Sequence, residues 1–335
     1  MSLEHLDTKQ PLLDVRGLKK FFPVKGPLGS IGGVKGYVKA VNDVSFHLYE
    51  GETLGVVGES GCGKSTMGRT ILRLTDPTEG QALYRNEDIF QLSGKKLQQV
   101  RKDVQMVFQD PFSSLNPRKR IGQTLEEPLA IHSIGEKQER TERVMDIMNK
   151  VGLQLDHYYR YPHEFSGGQR QRIGLARALV AGPKIVISDE PVSALDVSIQ
   201  SQIINLLQQL QEEYKLTYLF IAHDISVVRH ISDRIGVMYL GQMVEYAPTD
   251  SLFANPLHPY TQALLSAVPL PNPYKKKERI ILRGEIPSPM NPPSGCIFHT
   301  RCPYVMDVCK TEAPTRAEAA KGHVVACHLY GERES

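Results

Sequence analysis

The stretch Gly58-Glu59-Ser60-Gly61-Cys62-Gly63-Lys64-Ser65-Thr66 constrains this chain more than any other. It has the G-x-x-x-x-G-K-S/T spacing of a phosphate-binding loop. The residues before it, Thr53-Leu54-Gly55-Val56-Val57, read as a buried strand, and Met67 to Leu74 carries apolar residues at helical spacing. A glycine-rich turn in that setting lets backbone N–H groups close around phosphate oxygens, and the helix N-terminus adds partial positive charge. Lys64 is placed to meet the β- and γ-phosphates and Ser65 to offer a hydroxyl to Mg²⁺. Gly58, Ser60, Gly61, Cys62, Gly63 and Thr66 complete the cradle. A turn that bound nothing would not need the lysine and the serine in register. The chain is expected to bind a nucleoside triphosphate.

At 335 residues the chain is long enough for two domains and a large core. An apolar fraction of 41% and a charged fraction of 23% are ordinary for a soluble globular protein. The net charge of +3 leaves no electrostatic footprint for nucleic acid. No apolar run has the length to span a bilayer, and Met1 to Pro11 lacks the apolar core of a secretion signal. The expectation is a cytosolic chain, unless another subunit holds it at a membrane. Of five cysteines, Cys62 lies in the loop, while Cys296, Cys302, Cys309 and Cys327 cluster late in the chain. In a reducing compartment such a cluster points to metal rather than to disulfides.

From Leu12 to about Ala247 short apolar runs alternate with helical patterns, as in an α/β domain. Strands are expected at Val38–Tyr49 (interrupted at Asn42-Asp43), Asp103–Phe108, Lys184–Ser188, Thr217–Ala222, Ile235–Tyr239 and Met243–Tyr246. Ile199–Leu210 has the pattern of an amphipathic helix. The glycines of Pro23–Gly36 suggest a flexible loop. After Pro256 the prolines, among them Pro269, Pro271 and Pro273, make poor helix and poor central strand. Residues 256–290 read as a connector, with Lys275-Lys276-Lys277 a solvated run, and 291–335 as a small appended four-cysteine module.

A phosphate loop alone does not choose among kinases, GTPases and motors. Ile185-Val186-Ile187-Ser188-Asp189-Glu190 is an apolar strand ending in two acids, Asp189 suited to hold Mg²⁺ and Glu190 to polarise an attacking water. Both belong at the carboxyl edge of a sheet, where open α/β sheets bind ligands. Phe165-Ser166-Gly167-Gly168-Gln169 precedes a helical pattern, Arg170–Val180. Ser166 is its expected N-cap, and the glycines let backbone amides approach a phosphate. A second anion-binding helix end makes sense if two copies pack head to tail, each presenting it to the γ-phosphate held by the other.

In order, Gly58–Thr66, Gln109, Phe165–Gln169, Ile185–Glu190, Ser193-Ala194-Leu195-Asp196 and His223 resemble the motifs of ABC transporter ATPase subunits. They correspond to the phosphate loop, glutamine loop, signature motif, Mg²⁺/base strand, D-loop and switch histidine. The resemblance implies a P-loop ABC-type ATPase domain over residues 1–255, with a helical signature subdomain at about 110–180 and ATP and Mg²⁺ as cofactors. It implies Glu190, His223 and Gln109 as catalytic groups, and Ser65, Gln109 and Asp189 around Mg²⁺. It further implies that Ser166, Gly168 and Gln169 complete a partner's nucleotide site and that Asp196 contacts the partner. An aromatic ring stacked on adenine is also implied; Tyr37 is the choice and Phe22 the competitor.

The late cysteines are spaced C-x5-C-x6-C-x17-C. Zinc ribbons use closer pairs, four thiolates are also the ligand set of a 4Fe-4S cluster, and buried free thiols are the third reading. Arg301, His299, His323 and His328 are nearby in sequence, as outer donors or alternative ligands. His258–Leu265, Gly284–Pro289, Gly295–Phe298 with Arg301-Cys302-Pro303, and Asn116-Pro117-Arg118 resemble oligopeptide and dipeptide importer ATPases. That resemblance implies a 4Fe-4S cluster on Cys296, Cys302, Cys309 and Cys327, with zinc the alternative. It implies a peptide importer at the cytoplasmic face of the membrane, with a second homologous ATPase (hetero- or homodimer) and two permease subunits. An extracytoplasmic peptide-binding protein would act indirectly, and no nucleic acid is a partner. An importer of nickel or another small solute is one alternative. An exporter half would call for a fused membrane domain. A soluble ABC ATPase acting on nucleic acid or ribosomes would call for tandem domains or long helical insertions, absent here.

Overall fold

The structure is a computed structural model and describes residues 10–26, 29–110, 114–193, 195–268 and 278–330. Pro269, Pro271, Pro273 and Lys275-Lys276-Lys277 of the expected connector, and Ala194 of the D-loop, lie outside the described residues. The chain folds as two compact units whose segments alternate along the sequence. One holds residues 84–221 with short pieces at 10–13 and 48–53; the other holds 14–47, 54–83 and the residues from 222 onward.

In the first unit three strands run parallel, with Ile185–Asp189 between Val104–Val107 and Thr217–Ile221. Every residue of Ile185–Asp189 and Thr217–Ile221 is buried. Strands covered on both faces read as unbroken apolar runs, which is how they appear in the sequence. Helix Val197–Tyr214 buries Ile203, Ile204, Leu206, Leu207 and Leu210, the spacing of one helical face. Helix Ile121–Ile131 packs on Lys137–Lys150 and Gly167–Leu179. Its approach to Tyr158 requires glycine at 122, where a Cβ would come 2.4 Å from the ring. Tyr158 then donates its hydroxyl to Glu126 at 2.6 Å.

In the second unit residues 54–57 of strand Thr53–Val57 pair in parallel with Arg234–Tyr239, which returns antiparallel as Gln242–Pro248. The turn residues Leu240 and Gly241 both have positive φ, 45° and 80°, as a tight two-residue hairpin requires. The described residues of the expected flexible loop at Pro23–Gly36 are instead strand: Leu13–Gly26 and Gly29–Leu48 lie side by side. Glycine weakens a strand without forbidding it, and pairing with a neighbour overrides the local preference.

The chain after Pro256 also holds more regular structure than its prolines suggest. Helix Pro259–Ser266 starts with proline at its first position, where no N–H is lost. A late hairpin, Arg316–Ala320 with His323–Ala326, adds to the edge of Gln242–Pro248 through Tyr246↔Val324 and Glu245↔Val325. Glu245, 1% exposed, ties this region together. Its carboxylate accepts from the backbone N–H of Leu257 at 2.8 Å and of His258 at 2.9 Å, and meets His323 Nε2 at 2.7 Å.

His258 Nδ1 accepts from the Tyr260 N–H at 3.1 Å and so caps the helix as a neutral ring. Burial lowers its pKa to about 4, against a smaller upward pull from Glu245. Unfolding returns the ring to about 6.5, so on acidification the unfolded chain takes up the proton first and stability is lost between those values. We expect a loss of about 3 kcal/mol from this group, measured by urea unfolding from about pH 7 to 4. His258→Asn keeps a cap acceptor without titrating and should flatten the slope; an unchanged slope would contradict the assignment.

Candidate functional site

The phosphate loop occupies the turn from Gly58 to Gly63, between strand Thr53–Val57 and helix Lys64–Ile71. Its path leaves room for glycine alone at two points. A Cβ on Gly63, where φ is 108°, would stand 2.0 Å from the Ala40 carbonyl oxygen, and one on Gly58 would stand 2.1 Å from that of Met238. Gly241 N–H donates to the Cys62 carbonyl at 2.8 Å, fastening the loop from a third side. The helix begins with no side-chain cap and no acid in its first turn, which leaves its dipole to an anion.

Lys64 is buried, its Nζ donating to the carbonyls of Gly58 at 2.7 Å and Glu59 at 3.1 Å. Phosphate oxygens can take the place of these acceptors. Burial pushes the Cys62 thiol up against the pull of Lys64, so this cysteine packs rather than reacts. Glu59 is engaged on two sides: its N–H donates to the Tyr260 hydroxyl oxygen at 2.8 Å, and its carboxylate takes two bonds from Arg301. Ala222 N–H donates to Val56 O at 3.0 Å. That sets the exposed His223 by the carboxyl end of the strand feeding the loop. Tyr37 and Phe22 are both exposed on their strands, with Lys20 Nζ 4.8 Å from the Phe22 ring centre.

In the other unit Asp189 is fully buried at its strand end, and Glu190 follows in the left-handed region at φ 46°. Its backbone is held there by N–H donation to Ile221 O at 2.9 Å and by Ser193, whose N–H and hydroxyl donate to Glu190 O. A non-glycine residue in this conformation costs on the order of 1–3 kcal/mol and marks functional positions. Gln109 Nε2 donates to Glu190 Oε2 at 2.8 Å, bringing two of the expected catalytic residues together. Ser166 caps helix Gly167–Leu179 as expected: its hydroxyl accepts from Gln169 N–H at 3.4 Å, and Gln169 Oε1 accepts from Ser166 N–H at 3.0 Å. A Cβ on Gly168 would come 2.9 Å from Ile199. Asp196 is exposed at the start of helix Val197–Tyr214, and its side chain does not cap it.

Cys296, Cys309 and Cys327 are buried and Cys302 partly so. Burial is the main cause that raises the thiols of Cys296 and Cys302, and of Cys327 to about 11, with neighbouring cysteines adding to each. The donors are of the right kind for a thiolate-bound metal and within electrostatic reach of one another. Even so, among the described residues no three His, Cys, Asp or Glu side chains form a group that could hold a metal ion. The other candidates for that centre are engaged elsewhere: Arg301 on Glu59, His323 on Glu245, His299 on the Cys296 carbonyl and His328 on the Glu312 carbonyl.

Residues 41–193 match the ABC transporter family. The dimeric post-hydrolysis structure of the ATP-binding cassette MJ0796 bound to ADP and Pi aligns with a TM-score of 0.63 and 30% identity, over 71% of this chain and 98% of that one. Fold and loop are those of a P-loop ABC ATPase. Residues 244–309 match the family described as oligopeptide/dipeptide transporter, C-terminal region. The oligopeptide transport ATP-binding protein AppF of Bacillus subtilis (strain 168) is 58% identical over 96% of this chain and 98% of its own. The dipeptide transport ATP-binding protein DppF of Escherichia coli (strain K12) is 49% identical over 100% of this chain and 99% of its own. This chain belongs to the family of oligopeptide/dipeptide transport ATP-binding proteins.

Gly63→Ala tests the loop geometry. With φ at 108° and a carbonyl oxygen 2.0 Å from the new methyl, the loop must open. Nucleotide affinity should fall by more than about tenfold in a calorimetric titration, a loss above about 1.4 kcal/mol. Wild-type affinity would show that the loop does not bind in this form.

Proposed function

We propose that this chain is the ATP-hydrolysing, energy-coupling subunit of a peptide importer. The observation that carries the reading is the Gln109–Glu190 bond, which keeps a general base oriented in a chain with a complete phosphate loop. Loop amides and Lys64 take the phosphates of ATP, and Ser65, Gln109 and Asp189, all hard oxygen donors, would hold Mg²⁺. A magnesium ion held there would supply charge neutralisation for the phosphates. Glu190 accepts a proton from the water attacking the γ-phosphorus while the bond to the ADP oxygen breaks, and His223 donates to the γ-phosphate. Ser166, Gly168 and Gln169 complete the partner's site, Asp196 faces the partner, and Tyr37 stacks on adenine. We place the ATPase domain at 1–255, its helical signature subdomain at about 110–180, the connector at 256–290 and the cysteine module at 291–335.

Peptide as the transported solute is supported by the names of the relatives and by the match over residues 244–309. Neither nickel transport nor action on nucleic acid finds comparable support. Among the described residues no helix is long and apolar enough to cross a membrane. In the proposed assembly the chain sits at the cytoplasmic face with a homologous ATPase, as a heterodimer or a homodimer, on two permease subunits. An extracytoplasmic peptide-binding protein delivers the peptide.

Cys296, Cys302, Cys309 and Cys327 are the proposed ligands of a 4Fe-4S cluster, zinc being the alternative. The four thiols lie within electrostatic reach of one another, which supports the reading although burial favours the protonated form of Cys296, Cys302 and Cys327. Anaerobic purification should give about four irons and four sulfides per chain. About one zinc would favour the alternative, and no metal would overturn both.

Glu190→Gln should retain ATP binding and lose hydrolysis by about 10²- to 10⁴-fold, because the binding groups remain while the base is gone. Phosphate release at the wild-type rate would overturn the role of Glu190.

A further inference from the structure

Contacts from the C-terminal region converge on one residue of the phosphate loop. Arg301 Nη1 and Nη2 donate to the two Glu59 carboxylate oxygens at 2.7 and 3.1 Å, and the Tyr260 hydroxyl oxygen accepts the Glu59 N–H at 2.8 Å. The Arg301 side chain is 8% exposed and that of Glu59 26%, so this is not a loosely tethered surface pair. Arg301 is itself held in place. Its guanidinium lies 5.8 Å from the Tyr239 ring centre, and the rings of Tyr239, Tyr260 and Phe298 meet edge-on or tilted with centres within 5.5 Å of one another. Its backbone N–H donates to Phe298 O at 3.0 Å, and Cys296 N–H donates to Cys309 O at 2.9 Å.

The Glu59 carbonyl is one of the two acceptors that cradle Lys64, so fixing Glu59 fixes that cradle. A Glu59 carboxylate without Arg301 would set a negative charge beside the phosphate-binding loop, repelling a triphosphate and competing for the Lys64 ammonium. We propose that Arg301 is a positioning residue for the nucleotide. It neutralises Glu59 and locks the phosphate loop, so the C-terminal region of this chain sets the affinity for ATP. The inference rests on reading Gly58–Thr66 as the nucleotide site.

The test is calorimetric titration of the full chain with ADP·Mg²⁺, paired with steady-state ATP hydrolysis. Arg301→Met keeps the stem on Tyr239 and removes the charge. It should weaken nucleotide binding by about tenfold and raise KM similarly, with kcat at saturating ATP within about twofold of wild type. Arg301→Lys, a single-point contact, should fall between the two, and it answers the question if Arg301→Met does not fold. Glu59→Gln with Arg301→Met removes the stranded charge and should recover affinity to within about threefold of wild type. Wild-type Kd and KM in both Arg301 variants, or a double variant no better than Arg301→Met, would overturn the proposal. Lys64→Ala separates the two failures, since binding that survives it places the fault in the reading of the loop.

Discussion

A backbone that can wrap a phosphate is the constraint on which the rest depends. Gly58 and Gly63 pass so close to the carbonyls of Met238 and Ala40 that no side chain fits. Those carbonyls belong to strands Arg234–Tyr239 and Gly29–Leu48, so the loop takes its shape only where both strands press against it. The fully buried Thr53–Val57 strand fixes where the loop starts, and helix Lys64–Ile71 fixes where it ends. Function here is a property of main-chain geometry before it is one of side chains.

Polar groups around the chemistry are held on partners that substrate can replace. Lys64 rests on loop carbonyls and Gln109 on Glu190. Such pairs keep each group in a defined rotamer, so less ordering is required when nucleotide binds. Arg301 and Glu59 differ in that neither needs to let go: the pair shapes the cradle through the Glu59 backbone.

Much of this was legible in the sequence because it is local. Ile185–Asp189 and Thr217–Ile221 read as continuous apolar runs since both faces are covered, and Ser166 declared its cap three residues before Gln169. The misses are long-range. Glycines at Pro23–Gly36 suggested a loop because a neighbouring strand leaves no mark in the local pattern. Prolines hid helix Pro259–Ser266, although a proline at the first position favours one. Arg301 and Glu59 are 242 residues apart, and nothing near either predicts the other. The nearest sequence signal, four cysteines around Arg301, pointed it toward a metal instead.

Through Arg301, the phosphate loop and the C-terminal segment around that residue should respond to nucleotide together. Hydrogen exchange on the full chain, with and without ATP·Mg²⁺, tests this directly, because amide protection reports local opening segment by segment. Residues 58–66 and 296–302 should slow together when nucleotide binds. Slowing at 58–66 with unchanged exchange at 296–302 would contradict it.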